Sequence, residues 1–186
     1  MSDYKHLAVR TEGPVTTVSL ARTEAHNALD GALIRDLTQA FDRLAESEGV
    51  RVVVLTGEGP SFCAGADVGY MRDTVDLSYE ENLEDARRLA AMFRAVDECP
   101  KPVVAKVRGA AMGGGAGLVA AADVVVADED ARFAFSEVRL GIAPATIAPY
   151  VLRKIGASHA RSLFLTGERF GAARAREIGL VHEWVP

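Results

Sequence analysis

Residues 109–118 read GAAMGGGAGL, with Gly113, Gly114 and Gly115 in an unbroken run. Ordering glycine costs more backbone entropy than ordering any other residue, so the stretch raises the question of what the chain gains there. It follows an apolar strand, Val103–Val107, and opens a short helix through about Ala121. Three chemistries use such a strand-to-helix turn. A dinucleotide site spaces its glycines G-x-G-x-x-G. Counted from Gly113, the third glycine falls on Leu118; counted from Gly109, the second falls on Ala111. A P-loop ends in Gly-Lys-Ser/Thr, and no such triplet occurs. The third is a turn that presents bare amides at a helix N-terminus, where the first N–H groups lack acceptors and the dipole is positive. Such amides stabilise a developing oxyanion. The plain alternative is that the glycines only permit a tight turn or close packing.

Working outward, a second turn of small residues, SFCAGAD at residues 61–67, follows the apolar strand Val50–Leu55 and the turn GEGPS. On its own it reads as a packed turn. An oxyanion hole built from two amides needs two separate bare turns, and SFCAGAD and MGGGAG together meet that need. The remaining chain alternates. Pro14–Leu20 reads as a strand, and Asp30–Ser47 carries Leu33, Leu37, Phe41 and Leu44 at helical spacing behind a capping Asp30. Ser78–Glu98 is a second amphipathic helix with Leu83, Ala86, Leu89, Phe93 and Val96 on one side, ended by Pro100 and Pro102. Val124–Ala127 and Arg132–Phe135 read as short strands, with helical segments near Pro149–Lys154, Ser158–Leu165 and Ala172–Ile178. The alternation predicts an α/β fold. VVVL, VVAKV and VVVA predict parallel strands covered on both faces. Pattern alone leaves a Rossmann-like and other layered α/β folds open.

The chain has 186 residues, 49% hydrophobic and 25% charged, which suits one globular domain over residues 1–186. A net charge of -5 argues against a broad nucleic-acid surface but leaves room for one anionic ligand. Cys63 and Cys99 form no CxxC or Cys/His pattern, and the histidines at 6, 26, 159 and 182 do not cluster, so no metal site is expected. A disulfide between the two cysteines is not favoured. The N-terminus MSDYKHLAVR has no apolar signal region, and no stretch is apolar and long enough to span a bilayer. The expectation is a cytoplasmic protein with neither membrane nor nucleic acid as partner.

FCAGAD, GAAMGGGAGL and AADVVVADEDARFAFSEVRLGI occur in that order, with NALD at Asn27–Asp30 before them and FLTGERFGAARAREIGLVHEWVP after them. Together they resemble the crotonase superfamily, the enoyl-CoA hydratase/isomerase family, over essentially the whole chain. The resemblance implies a spiral of repeated β-β-α units and assembly as a homotrimer or hexamer. It implies acyl-CoA thioesters as substrates, with coenzyme A part of the substrate and no separate cofactor. It also implies C-terminal helices beyond VHEWVP that complete the acyl pocket, and an exposed apolar patch where they would pack.

The same resemblance places the two oxyanion amides at Ala66 and Gly114, a CoA-facing segment at Cys63, Ala64 and Ala66, and Arg22 near a CoA phosphate. For Arg22 the alternative is a solvated surface side chain. Val68 and Gly69 stand where the family often has a basic residue, with Arg72 further on, and Asp67 reads as structural. Typical hydratases use two glutamates as acid and base. The first falls on Gly117 and is therefore missing; the second falls on Glu137. Burial would raise the pKa of Glu137 towards the working range, whereas a loop glutamate on the surface would not be tuned.

One carboxylate fits a hydratase, the expected activity, with a Δ3,Δ2-enoyl-CoA isomerase second and a non-catalytic acyl-CoA-binding member third. GGGxGL, SEVRLG and PATIAPYV are similar to branched-chain hydratases of the methylglutaconyl-CoA type, whose substrate carboxylate would position water. That places the expected role in fatty-acid or branched-chain amino-acid degradation. Gly117→Glu asks whether the pocket tolerates a second carboxylate.

Overall fold

The computed structural model describes residues 4–186, and its strands come in pairs followed by helices. β1 (Leu7–Glu12) and β2 (Val15–Leu20) lead to α1 (Gly31–Glu46). β3 (Val52–Gly57) and β4 (Ser61–Cys63) lead to α2 (Val68–Asp73) and α3 (Tyr79–Asp97). β5 (Val103–Val107) and β6 (Ala110–Met112) lead to α4 (Gly114–Ala121). β7 (Val124–Asp128) and β8 (Arg132–Ala134) lead, through a 3-10 turn at Glu137–Leu140, to α5 (Ala148–Thr166). β9 (Phe170–Gly171), α6 (Ala172–Glu177) and β10 (Glu183–Val185) follow.

From β3 to β8, the first strand of each pair enters a six-stranded sheet of order β1-β2-β3-β5-β7-β10. The second enters a four-stranded sheet of order β4-β6-β8-β9. Neighbours β2, β3, β5 and β7 are parallel, as are β4, β6 and β8. Each β-β-α unit therefore advances the chain by one strand along both sheets at once, which is a spiral. The arrangement also brings the ends of β4, β6 and β8 side by side, and these strands carry SFCAGAD, MGGGAG and the approach to Glu137.

Helix boundaries follow local chemistry. Asp30 caps α1 by accepting from the Leu33 amide at 2.8 Å, and Leu33, Ile34, Leu37, Phe41 and Leu44 are buried along one face. Ser78 and Glu81 form a reciprocal capping box at the start of α3. The apolar stripe predicted for α3 needs correction. Met92, Phe93 and Val96 are buried and Leu89 packs against the core, but Leu83 and Ala86 are exposed. The face turned inward in the first half of α3 carries Asp85, whose side chain is only 16% exposed. The helices predicted at Pro149–Lys154 and Ser158–Leu165 are the two halves of α5, divided by the non-helical Gly156 (φ 75°, ψ 160°).

The expectation of sheet strands covered on both faces is also corrected. Val53, Leu55, Val103, Ala105, Val107, Val125 and Ala127 are buried, but Val54, Thr56, Val104 and Val126 are half-buried and Lys106 is exposed. The pleat sends alternate side chains to opposite faces, and one core joins a single face of the large sheet to the helices and the small sheet. Large apolar side chains stand exposed elsewhere, among them Val75, Tyr79, Leu140 and Leu165. Among the described residues, no helix is long and apolar enough to cross a membrane.

One buried polar residue holds the first spiral turn together. Asn27 is fully buried with φ 57°, a conformation Asn tolerates better than most residues. Its Oδ1 accepts from the Arg22 amide at 2.9 Å, and its Nδ2 lies within donating distance of the carbonyls of Glu58 (2.9 Å), Ser61 (2.8 Å) and Phe62 (3.2 Å). Asn27→Ala orphans these groups and is expected to lower stability by roughly 3 kcal/mol. Urea unfolding checks this; a change within 0.5 kcal/mol, the order typical of an uninvolved surface site, would deny Asn27 this role.

Candidate active site

Gly65 has φ 95°, and a Cβ on it would lie 2.8 Å from the Met112 carbonyl oxygen and 3.6 Å from the Gly114 nitrogen. The CAGAD turn thus presses directly on the triple glycine. Leu29 grips the same turn from the other side. Its N–H donates to the Gly65 carbonyl at 2.7 Å, and its carbonyl accepts from the Asp67 amide at 3.0 Å, as a parallel bridge to Ala66. A residue straddled in this way turns its own N–H away from the partner strand. The Ala66 amide accordingly faces away from Leu29, and among the described residues it has no acceptor. Neither has the amide of Gly114, the first residue of α4. Ala66, Gly114 and Glu137 line one cavity.

The glycines serve both packing and exposure. Gly113 adopts φ 48°, ψ -116°, which a residue with a Cβ avoids, and its amide donates to the Ala134 carbonyl at 2.8 Å. That bond ties the turn to β8, three residues before Glu137. A Cβ on Gly115 would lie 2.3 Å from the Cys63 carbonyl oxygen, so no side chain fits between the two turns. Close packing is what brings the two bare amides together.

Glu137 opens the 3-10 turn after β8, and its Oε1 lies 3.4 Å from where a Gly113 Cβ would be. Its Oε2 is buried and has no hydrogen-bond partner among the described residues. Burial lifts the carboxyl above the ordinary glutamate range, only partly offset by a hydrogen bond from its own backbone. The cavity wall around it is mostly apolar, including Leu29, Ile34, Leu89, Phe93 and Ile142, and among the described residues no Lys, Arg or His lines it.

Gly117 is enclosed. A Cβ there would lie 2.3 Å from Ile147 Cγ2, 2.9 Å from Ile147 Cβ and 3.0 Å from Phe93 Cε1. Ile147 comes from PATIAPY and is 3% exposed; Phe93 is fully buried. The glycine at 117 and the PATIAPY segment after Glu137 are therefore one packing event. The room for a carboxylate at 117 is filled, so Gly117→Glu meets Ile147 and Phe93 instead of open pocket.

Residues 10–186 match the family model for enoyl-CoA hydratase/isomerase. The chain belongs to the enoyl-CoA hydratase/isomerase family. It is 41% identical to a putative enoyl-CoA hydratase of Thermus thermophilus, over 94% of this chain and 69% of that protein. It is 37% identical to the 2,3-dehydroadipyl-CoA hydratase of Escherichia coli, over 97% of this chain and 69% of that one. A crystal structure of a putative enoyl-CoA hydratase/isomerase (crotonase) from Legionella pneumophila superposes with a TM-score of 0.95 at 42% identity, covering 97% of this chain and 70% of that one. The chain spans between 53% and 69% of the length of the curated relatives it matches. The spiral fold is therefore that of the crotonases.

Within this family frame, the other residues singled out from the sequence fall unevenly. Arg22 is turned inward, its side chain 17% exposed. Its Nη1 donates to the Ala28 carbonyl at 2.9 Å and to Asp67 Oδ2 at 2.7 Å, and its Nε lies 3.5 Å from Asp30 Oδ2. Asp30 caps α1, and Asp67 caps α2 by accepting from the Tyr70 amide at 2.9 Å. The guanidinium thus ties together two helix caps that flank the Ala66 bridge. The Tyr70 amide first, then Arg22, hold the Asp67 carboxyl below the ordinary carboxylate range. Sequence reasoning missed this clamp because its partners are 45 positions apart. Cys63 is fully buried, and burial pushes its thiol up to about 12, so it stays protonated and inert. It is a free thiol, as is Cys99. Ala64 and Ala66 are exposed beside it.

Proposed function

We propose that this protein adds water to, or removes it from, the double bond of an α,β-unsaturated acyl-CoA thioester, with Glu137 as its single proton-transfer group. The observation that carries this reading is the unpartnered, buried Oε2 of Glu137 in the same cavity as the amides of Ala66 and Gly114. The thioester oxygen would accept from both amides, each worth about 3 kcal/mol of transition-state stabilisation. The Glu137 carboxylate takes a proton from water as the water oxygen bonds to C3. The C2–C3 π electrons move towards the thioester oxygen, forming an enolate held by the two amides. The enolate collapses and C2 takes the proton back from Glu137, which ends as it began. The acyl tail, straight or branched, would lie against Leu29, Ile34, Leu89 and Phe93, and the CoA arm would run past exposed Ala64 and Ala66. Coenzyme A is part of the substrate and no other cofactor enters the chemistry. Assembly as a homotrimer or hexamer belongs to the same proposal.

A second reading, a Δ3,Δ2-enoyl-CoA isomerase, is favoured by one observation: Ile147 and Phe93 fill the place beside Gly117 where a second carboxylate would act on water. Glu137 would then remove a proton from C2 and return it at C4 as the double bond shifts. Incubation with crotonyl-CoA, 3-methylglutaconyl-CoA and 3-hexenoyl-CoA, followed by mass spectrometry, separates the two. A product heavier by one water supports the hydratase; a migrated double bond at constant mass supports the isomerase. Thioester binding without turnover overturns both and leaves a binding-only member.

A further inference from the structure

The cavity wall opposite in character to Leu29 and Ile34 is polar. α2 contributes Tyr70 and α3 contributes Asp85, both lining the cavity that holds Glu137. The Tyr70 hydroxyl donates to Asp85 Oδ1, and Arg88 Nη2 donates to the same oxygen at 3.2 Å. Both bonds land on Oδ1, and Oδ2 has no partner among the described residues. Arg88 and Arg35 stand near this pair, but both are exposed and neither lines the cavity. Burial, then the bond to Asp85, pushes the Tyr70 phenol up to about 12, so it remains a neutral hydroxyl.

The position along α3 fixes which part of a ligand meets this pair. Asp85, Leu89 and Phe93 are spaced by four and share one helix face, and all three line the cavity. Phe93 lies within 3.8 Å of where a Gly114 Cβ would be, so its end of the stripe is beside the oxyanion turn. At 1.5 Å per residue, Asp85 is about 12 Å further along, roughly the reach of an extended eight-carbon chain together with a terminal hydroxyl and its hydrogen bond.

We infer that Asp85, with Tyr70, is a specificity determinant that selects acyl thioesters whose tail carries a hydroxyl several carbons from the thioester. The inference rests on the acyl-CoA reading of the cavity. An alkyl tail filling the cavity strips water from an acceptor and gives it no donor in return, which weakens binding. A terminal carboxylate adds a second acceptor and a like charge. A hydroxyl replaces the lost water and donates to Oδ2. Sites that hydrogen-bond a substrate hydroxyl reject the analogue lacking it far more strongly than apolar pockets discriminate by size. A carboxylated tail of the kind handled by methylglutaconyl-type enzymes is, on this reading, disfavoured.

Binding of non-reacting saturated thioesters tests this independently of turnover. Octanoyl-CoA, 8-hydroxyoctanoyl-CoA and suberyl-CoA are titrated calorimetrically into the protein and into its Asp85→Leu and Asp85→Asn variants. The wild type is expected to bind the hydroxylated thioester at least tenfold tighter than either other. Asp85→Leu reverses the hydroxyl preference in favour of octanoyl-CoA, and Asp85→Asn, which offers a donor, raises the relative affinity for suberyl-CoA. Equal wild-type affinities for the three, or a preference order unchanged by both substitutions, overturns the inference. Circular dichroism of each variant shows that it is folded. No binding of any of the three thioesters overturns the acyl-CoA reading itself, and with it this inference; loss of turnover with the binding order intact overturns only the proposed reaction.

Discussion

Glu137→Gln is expected to lower kcat about a thousandfold, in the range that positioned proton-transfer groups contribute, while leaving KM for an enoyl-CoA nearly unchanged. Gln keeps the size of the side chain but cannot exchange a proton. The amides of Ala66 and Gly114 belong to the backbone and remain. Stability should move the other way. Burial raises the folded-state pKa of Glu137 above its ordinary value of 4.5. A carboxyl with a raised folded pKa holds its proton more tightly folded than unfolded, so its contribution to stability falls as pH rises from the unfolded pKa through the folded one. Gln has no such term. At pH 8 the variant should therefore melt at or above the wild-type temperature, and the difference should close below pH 4.5. The wild-type rate should rise with pH through an ionisation above that of a free glutamate, and the variant's residual rate should lack it. Near-normal turnover by the variant would remove Glu137 from the chemistry. A lower melting temperature at pH 8 would mean its buried oxygen is held by interactions that the geometry does not contain.

Much of this was legible in the sequence for identifiable reasons. Asp30 and Ser78 announce α1 and α3 because their side chains satisfy the first free amides, a strictly local effect. The triple glycine announces the turn because Gly113 and Gly115 occupy places where a Cβ is strained or excluded. What was not legible depends on partners far along the chain. Leu83–Ala86–Leu89–Phe93 and Asp85–Leu89–Phe93 both satisfy helical spacing, and only packing decided that the second faces inward. In β3, β5 and β7 apolar residues occupy adjacent positions, so pattern could not reveal that one face is half open. β4, β6 and β9 are two or three residues long, too short to carry a period of two. Arg22 looked like a free cation until Asp67 and Asp30 were brought to it. Gly117 showed that a carboxylate was missing but not that Ile147 had taken its room.

That last point yields the second large effect. Gly117→Glu is expected to destabilise the protein by at least about 3 kcal/mol, since it overpacks a filled site and buries a charge without a partner. The clash is with a Cβ as well as with a side-chain tip, because Ile147 Cβ itself is 2.9 Å from the new Cβ. Ile147→Ala would leave that atom in place, so relief requires Ile147→Gly. Residue 147 is the N-cap of α5, where glycine is well tolerated. Alone, Ile147→Gly opens a cavity and should lose about 2–4 kcal/mol. If the two sites are one packing event, the double variant should be more stable than the sum of the singles by 2 kcal/mol or so, a coupling expected only of residues in contact. A double-mutant cycle in urea measures it. Additive losses, or a Gly117→Glu variant as stable as the wild type, would show that the site relaxes without Ile147. Hydration of crotonyl-CoA gained by the double variant but not by Gly117→Glu would show that Ile147, and not the oxyanion turn, is what keeps this chain to a single carboxylate.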